Sequence, residues 1–420
     1  ISILRRELMD FLKAGNRTMA GSISKHRLHA VFVISQVSLS VILLITAGVL
    51  VRNLNAVLQK DVGFQREGRI AFKIPQPSYR FGEGDNAYQY EVLPFQERVL
   101  ERIRSQPGVI GASASNRVPI SGDNLSYRDF AMHHYEYANG EPRANALRVI
   151  TLPGYFETVG TKILFGRDFQ NTDTFDSEPI VIISQNTMER YYQDLDPVGM
   201  SINFRGKDLK IVGVAEQVQD KPFFLESDGY TLYFPFKAVT HERGLTNYVV
   251  HVNGDPVQQM ANIERAILDM DPKLSIKSVT FDDVYDLATF AQKLPMVVTV
   301  IFSSIALFLS GLGLYGLISF TVAERTKEYG IRMALGAGRG NILKRVIGGS
   351  GRLIGWGLVV GLVVSITLCV QINPMLSDIN TVHPTTFVMV IGFVIAICVF
   401  ASFFPAQRAT RINITETLQY

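Results

Sequence analysis

The stretch LPMVVTVIFSSIALFLSGLGLYGLISFTVA, residues 294–323, runs directly into ERTKEYGIRMALGAGRGNILKRV, residues 324–346. The first part contains no Asp, Glu, Lys, Arg or His and is longer than the ~20 apolar residues that a helix needs to cross a bilayer. The second part is dense in charge and contains three closely spaced glycines. Because a helix in a soluble core rarely runs this far without a charge, the stretch predicts a membrane span followed by a basic segment.

Further apolar runs of similar length occupy residues 30–51, 353–372 and 384–406, and they also lack Asp, Glu, Lys, Arg and His. We therefore predict an α-helical membrane protein with four transmembrane helices. The only cysteines, Cys369 and Cys398, fall inside these runs. They are therefore not the disulfide framework of a secreted domain.

The charge is divided unevenly along the chain. Residues 53–293 carry 25 Lys and Arg against 32 Asp and Glu, a net of −7, whereas the rest carries 16 against 6, a net of +10. Short basic segments stay in the cytoplasm. We therefore predict a bacterial inner (cytoplasmic) membrane protein with both termini inside, a large extracytoplasmic domain at 53–293, and cytoplasmic segments at 1–29, 324–352 and 407–420. The basic charge follows from topology and does not indicate nucleic-acid binding.

The extracytoplasmic segment alternates strand and helix patterns. Residues 69–115 read as strand, helix and strand, and residues 248–280 repeat that order. Two such units around a middle section predict an α+β domain of βαβ units with a subdomain inserted at about residues 125–217. The last helical pattern, residues 281–294, runs without a break into the second span, which suggests a route for motion between the two.

Glycines in the spans match one known motif only superficially. The sequence GLGLYG, Gly311 to Gly316, fits the dinucleotide pattern GxGxxG, but it lies inside a span with no strand before it. Small residues at helical spacing let transmembrane helices approach each other closely. We therefore interpret Gly311, Gly313, Gly357 and Gly361 as helix-packing residues.

The sequence predicts no catalytic, cofactor-binding or metal-binding residue. It contains no GxxxxGK[ST] phosphate-binding loop, so the chain is expected to be neither an ATPase nor another enzyme. Ion-coupled carriers usually keep an acid, a base or a His within the membrane, and these spans contain no Asp, Glu, Lys, Arg or His. Energy for any work must therefore enter outside the spans, and the basic segment at 324–352 is the obvious contact point.

That segment has the features of a docking helix. Glu328 and Arg332 are four residues apart with the acid first, the better orientation for a helical ion pair, which is worth about 0.3 kcal/mol when exposed. An apolar patch lies beside the pair and consists of Ile331, Ala334 and Leu335. The alternative is a plain basic loop that obeys the positive-inside rule, but the mixed charge, the apolar patch and the placed glycines favour docking.

Glycines then end this helix in the prediction, because each costs about 1 kcal/mol in a helix interior. The sequence NILKRVI is expected to begin a second short helix toward the third span. The predicted hinge consists of Gly336, Gly338 and Gly340.

Several motifs together resemble one family. ERTKEYGIRMALGA, residues 324–337, resembles the signature of FtsX-like permeases, membrane subunits of ABC systems of the MacB and LolC/E type. PAQRATRINITETLQ, residues 405–419, is similar to their closing segment, and DPVGMSINF with KIVGVAE resembles the MacB-like periplasmic core domain. That family also has the same layout, namely one span, a large outer domain and three further spans.

The resemblance implies a mechanism, mechanotransmission. A cytoplasmic ABC ATPase would bind ATP and dock at the segment, and hydrolysis would be transmitted to the outer domain for export, efflux, or lipoprotein or envelope handling. The implied docking residues are Glu324, Arg325, Lys327, Glu328, Arg332, Met333, Leu335 and Gly336.

The resemblance also implies partners beyond the ATPase. These are a second permease half or protomer and an extracytoplasmic or envelope protein. The leader before the first span resembles the linker between the halves of duplicated permeases, and the chain begins at Ile1 rather than Met. Both suggest the C-terminal half of a duplicated permease. A different class also fits, namely a membrane scaffold or sensor that regulates a cell-wall enzyme or binds a ligand, and the cargo has no signature.

Overall fold

The computed structural model describes residues 19–75, 92–123, 125–135, 144–193, 195–223, 229–238, 245–325, 328, 331–332, 338–372 and 383–409. The chain divides into a membrane unit, Ile1–Ala56 with Gln292–Tyr420, and an outer unit, Val57–Ala291.

In chain order the elements are α1 (Met19–Gln59), β1 (Arg69–Lys73), α2 (Leu93–Arg104), β2 (Val109–Ser115), β3 (Tyr127–Met132), β4 (Ala144–Thr151), α3 (Tyr155–Val159), β5 (Ile163–Gly166), β6 (Ile180–Ser184), α4 (Gln185–Tyr191), β7 (Ser201–Phe204), β8 (Lys207–Ala215), β9 (Thr231–Pro235), β10 (Asn247–Val252), α5 (Pro256–Leu268), β11 (Lys277–Thr280), α6 (Phe281–Glu324), α7 (Arg339–Ile372) and α8 (Pro384–Ala409).

The membrane unit contains helices long and apolar enough to cross a bilayer. Candidate spans are Ala30–Gln59, Phe281–Glu324, Gly351–Gln371 and Pro384–Phe403. The predicted fold class, with four transmembrane helices and a large domain between the first two, is confirmed. The second helix is longer than its apolar run because α6 begins at Phe281 and continues to Glu324 without a break.

Helix α1 provides the centre of the membrane unit. Val33, Val37, Val41 and Ile45 recur every four residues and are almost fully buried. This spacing places them on one helix face, and they belong to one cluster with side chains of α6, α7 and α8. Because lipid tails are as apolar as these side chains, close packing rather than the hydrophobic effect must hold the bundle together.

The outer unit is built on a sheet with both faces covered. Its strand order is β11-β1-β10-β2-β4-β3-β7-β8-β6-β9, with β5 paired to β8. In β1, Ile70 and Phe72 point into a cluster with residues of α2 and α5, whereas Ala71 points to the opposite cluster. This period-two alternation with burial on both sides explains the nearly continuous apolar run in the sequence. Asp255 caps α5 by accepting a hydrogen bond from the N–H of Val257 at 3.0 Å.

The middle section differs from the prediction of an insert that ends near residue 217. Strands β3, β4, β6, β7, β8 and β9 pair in a closed ring, because β9 bonds to both β4 and β6. The last strand of this ring, Thr231–Pro235, lies beyond the predicted boundary. The ring joins the first strands through β2 and β4, at the pair Ser115 and Thr151.

The basic segment also differs from the prediction in one respect. The second short helix is not separate, because α7 runs as one helix from Arg339 to Ile372. Gly340 lies in the first turn of this helix, and the hinge of Gly336, Gly338 and Gly340 stays a prediction. A single glycine costs a helix only about 1 kcal/mol. A helix as long as α7 therefore tolerates a glycine near its start.

Candidate functional site

The predicted docking segment begins where α6 ends. Glu324 is the last residue of α6, and the N–H of Arg325 still donates to the carbonyl of Thr321 at 3.2 Å. The backbone is helical again at residues 328, 331 and 332. Helical structure therefore continues, at these residues, past the last apolar residue of the span.

The ion pair at the segment is formed and exposed. Arg332 Nη2 lies 2.5 Å from Glu328 Oε1, and the two side chains are 35% and 44% exposed. Ile331 beside them is 51% exposed. An exposed apolar side chain next to a self-neutralised ion pair is a surface that a protein partner can cover without stranding a charge.

The remaining predicted docking and hinge residues divide into two groups. Lys327, Met333, Leu335 and Gly336 lie outside the described residues. Gly338 lies directly before α7, and its carbonyl accepts a hydrogen bond from the N–H of Asn341 at 2.9 Å.

Two of the predicted packing glycines bring α7 against α1. A Cβ atom added to Gly357 would lie 2.7 Å from Val37 Cβ, and one added to Gly361 would lie 2.8 Å from Val41 Cβ. The hydroxyl of Ser38 donates to the carbonyl of Gly357 at 2.9 Å. Since these distances leave no room for a side chain, the glycines set how closely the two helices approach.

The other two glycines lie on α6. Gly313 faces the side-chain oxygen of Gln36, which leaves no space for a methyl group, whereas Gly311 is 4.0 Å from the Cβ of Ala401 and has room. One turn along α1, the hydroxyl of Ser40 is 2.8 Å from that of Ser310. The contact between α1 and α6 is therefore polar at its centre.

In the outer unit, the segment that follows α1 packs on the first turns of α6. The ring of Phe64 meets that of Phe281 edge-on at 5.7 Å. The guanidinium of Arg66 lies 4.1 Å from the centre of the Tyr285 ring and 3.8 Å from a carboxylate oxygen of Asp282. Sequence reasoning missed this contact because an Arg and a Phe in a loop carry no periodic signal.

A polar cluster lies inside the outer unit where the ring joins the first strands. Arg117 is fully buried and donates to the backbone carbonyl of Asp220. The Asp220 carboxylate accepts a hydrogen bond from Thr231 Oγ1 at 2.7 Å. Burial raises the pKa of Asp220, although Arg117 and the Thr231 hydroxyl act in the opposite direction. Burial likewise raises the pKa of Tyr155 beside it. The cluster is too enclosed to meet a partner and serves the fold.

Two adjacent histidines, His133 and His134, directly follow β3. His133 Nε2 is 2.9 Å from Asp208 Oδ1, and His134 Nε2 is 3.0 Å from the carbonyl of Tyr191. Hydrogen bonds from Asn203 and His133 lower the pKa of Asp208. Each histidine therefore has its own partner, and in the described part of the chain neither belongs to a group of three or more potential metal ligands.

Comparison with known families decides the assignment. The model of the MacB-like periplasmic core domain matches residues 31–270, more than half of the chain. The model of the FtsX-like permease C-terminal region matches residues 300–414. The chain belongs to the MacB/FtsX-like family of ABC transporter permeases. The predicted resemblance to FtsX-like permeases with a MacB-like periplasmic core domain is thereby confirmed.

Relatives of this permease include exporters and one uncharacterised permease. It is 27% identical over 307 residues to the macrolide export ATP-binding/permease protein MacB of Neisseria meningitidis, with 71% of this chain and 45% of that protein covered. It is 27% identical over 279 residues to the uncharacterized ABC transporter permease YknZ of Bacillus subtilis, with 64% and 68% covered. The permease thus spans about half the length of the MacB relatives that it matches.

A solved structure also resembles part of this permease. The periplasmic region of MacB from Actinobacillus actinomycetemcomitans is 12% identical, covers 55% of this chain with 97% of its own, and has a TM-score of 0.37.

Proposed function

We propose that this permease transmits ATP hydrolysis by an ABC ATPase, docked at residues 324–336, to its extracytoplasmic domain in an export process. The observation that carries the proposal is the surface formed by Glu328, Ile331 and Arg332 just beyond the end of α6. Helix α6 is continuous from Phe281, in the outer unit, to Glu324, four residues before Glu328. Because a continuous helix is stiff, a displacement at the Glu324 end of α6 would be transmitted to its Phe281 end.

Several further observations support the same proposal. The candidate spans contain no Asp, Glu, Lys, Arg or His between residues 294 and 323 or between residues 353 and 372, which disfavours ion coupling. The MacB relatives are named for macrolide export and ATP binding. We propose export as the task, with a second permease half and an envelope protein completing the assembly, and with the ATP bound outside this chain.

The test is Ile331→Asp in the full chain, reconstituted in vesicles with the ABC ATPase of its system. The variant places a charge at the centre of the surface that the ATPase would cover. We expect the affinity of the ATPase for the permease to fall about tenfold, because central apolar residues dominate interface energies. The measurement is ATPase rate against permease concentration. Val257→Asp is the matched control, because Val257 is equally apolar and 60% exposed but lies on the outer unit.

A charge-swapped variant, Glu328→Lys with Arg332→Glu, separates docking from helix stability. The swap keeps an ion pair at the same spacing but inverts the charge pattern of the surface. We expect ATPase stimulation to fall while membrane insertion stays normal. Stimulation that survives both this variant and Ile331→Asp would contradict the docking role.

A further inference from the structure

Three helices of the membrane unit enclose an open groove, the α6–α8 groove. Its volume is about 640 Å³, within the range of about 300–1,000 Å³ that is usual for ligand sites. Helix α6 lines it with six residues between Ser304 and Tyr315, and α8 lines it with four between Phe393 and Ala401. Leu44 of α1 completes the lining. On α6 and α8 these residues recur at spacings of three and four, so each helix presents a single face to the groove.

The lining of the groove is almost wholly apolar. None of its residues is charged, and only Ser304 and Tyr315 carry a polar side-chain atom. The hydroxyl of Ser304 donates to the carbonyl of Val300 on its own helix at 2.8 Å. A polar ligand would therefore lose its hydration in the groove without gaining hydrogen bonds in return. The lining favours a hydrocarbon ligand.

The groove lies in the middle of the apolar run of α6. Position 304 is ten residues from the start of that run at 294, and position 315 is eight residues from its end at 323. At 1.5 Å per residue, the groove extends about 16 Å along α6 and stays about 12 Å or more from either end of the run. In a bilayer with a hydrocarbon core about 30 Å thick, acyl chains surround a span at this depth.

The shape of the groove suits a flexible chain better than a helix. Its floor is low, because Gly311 has no side chain and even an added Cβ would be 4.0 Å from Ala401. Its walls are high, because Phe308, Phe393 and Phe400 are 66%, 53% and 68% exposed. Membrane helices approach each other through small residues, and a helix is about 10 Å wide. The three rings would hold such a helix away from the floor, whereas an acyl chain fits between them.

We propose that the α6–α8 groove holds one acyl chain of a membrane phospholipid as a resident ligand. Water does not fill it, because apolar cavities stay dry, and an empty groove would forfeit the dispersion contacts of its lining. Phospholipid surrounds the spans and needs no delivery. The inference requires a membrane but no ATPase, so it stands or falls separately from the docking role of residues 324–336.

Photo-crosslinking tests the site in the unaltered chain. The full chain in detergent is mixed with a phosphatidylethanolamine whose palmitoyl chain carries a diazirine, irradiated and mapped by mass spectrometry. We expect the labelling to saturate at a single lipid per chain and to fall in peptides that contain residues 304–315 and 393–401. Val363 and Val370 of α7, both 60% exposed, are the internal comparison. Labelling of α7 to the same extent as the groove, or labelling that does not saturate, would overturn the proposal.

Variants that fill the groove assign the label to it. Gly311→Phe places a ring on the floor, and an overpacked contact weakens binding about fivefold or more. We expect the labelling of both groove segments to fall by that factor, and the smaller change Gly311→Leu to lower it in part. Gly316→Phe is the matched control, because Gly316 is exposed on the same helix, has open space around an added Cβ and does not line the groove. Equal losses in Gly311→Phe and Gly316→Phe would contradict the assignment.

The competing occupant is a helix of a second copy of the chain. If that helix covered the groove in vesicles, Phe308→Cys would form a disulfide between two chains on oxidation, and the diazirine lipid would not label residues 304–315. We expect the opposite result, with lipid labelling and little disulfide. Efficient disulfide formation through Phe308→Cys without lipid labelling would replace the acyl chain by a second copy.

Discussion

Gly355 and Gly361 stand on the same helix, α7, but meet different surroundings. A Cβ at Gly361 would lie 3.0 Å from the carbonyl oxygen of Ser38, whereas one at Gly355 would meet nothing within 4 Å. An overpacked contact costs about 1–3 kcal/mol, and alanine in place of glycine gains up to about 1 kcal/mol of helix propensity.

We therefore expect Gly361→Ala to lower and Gly355→Ala to maintain or raise the stability of the helix bundle. Thermal unfolding of the purified chain in detergent measures both. If the two variants shift the midpoint of thermal unfolding equally, the close approach of α7 and α1 does not stabilise the contact between these two helices.

Asp220 makes the stability of the outer unit depend on pH in a defined direction. Its pKa is raised by burial, so the folded carboxyl holds its proton more tightly than the unfolded one. The contribution of this group is therefore fully present below its ordinary pKa of about 3.9 and is lost as pH rises through the higher folded value.

Asp220→Asn keeps an oxygen that accepts from Thr231 but cannot ionise. As the pH rises above about 4, we expect the free energy of unfolding of the parent chain to fall relative to that of the variant. Denaturant unfolding at a series of pH values measures this. Parallel curves for the two proteins would refute the assignment, whatever their absolute stabilities.

At the scale of elements, α6 is the feature on which transmission depends. It is continuous from Phe281 to Glu324 and passes through Gln292 and Lys293 between the two units. Glycine in a helix interior costs about 1 kcal/mol relative to alanine. Two adjacent glycines should soften the helix without removing any packed apolar side chain.

We expect Gln292→Gly with Lys293→Gly to leave ATPase docking intact but to weaken the response of the outer unit to ATP. Hydrogen exchange of residues 57–291, with and without ATP, measures that response. The alanine pair at the same positions is the control, because it removes the same side chains and keeps the helix stiff. Equal responses in both pairs would show that α6 is not the route.

At the scale of the whole molecule, the proposed topology places the outer unit outside the cytoplasm. Val257 is exposed on the outer unit, and Gly338 is exposed beyond the spans. The native Cys369 and Cys398 are only 6% and 2% exposed, so background labelling should be small.

Val257→Cys should react with a membrane-impermeant maleimide in intact cells, whereas Gly338→Cys should react only after lysis. The physical reason is the charge asymmetry between the two parts of the chain. The reverse pattern of labelling would invert the topology, and with it the side on which an ATPase can dock.

The sequence was a sufficient guide wherever a long-range pattern repeats. Charge-free runs of bilayer length predicted the four spans, and the strand–helix–strand order predicted for residues 69–115 is present as β1, α2 and β2. The ion pair between Glu328 and Arg332 followed from their spacing alone.

Other features were decided by tertiary contacts that leave no periodic trace. Ring closure depends on β9 meeting β4 and β6, which are far from it in sequence. The burial of Arg117 and the pairing of Arg66 with Tyr285 likewise depend on where distant segments meet. The extent of α7 depended on helix propagation through Gly340, a local cost that a long helix absorbs.

The sequence by itself therefore determined which segments enter the membrane, because transfer to lipid depends on composition and length alone. It also determined the charge asymmetry and the family motif at residues 324–337. Only the tertiary structure decided which glycines on the spans meet α1, which faces of α6 and α8 line the groove, and how the outer strands close into a ring. Those outcomes depend on pairwise contacts between residues far apart in the chain, and no single segment encodes them.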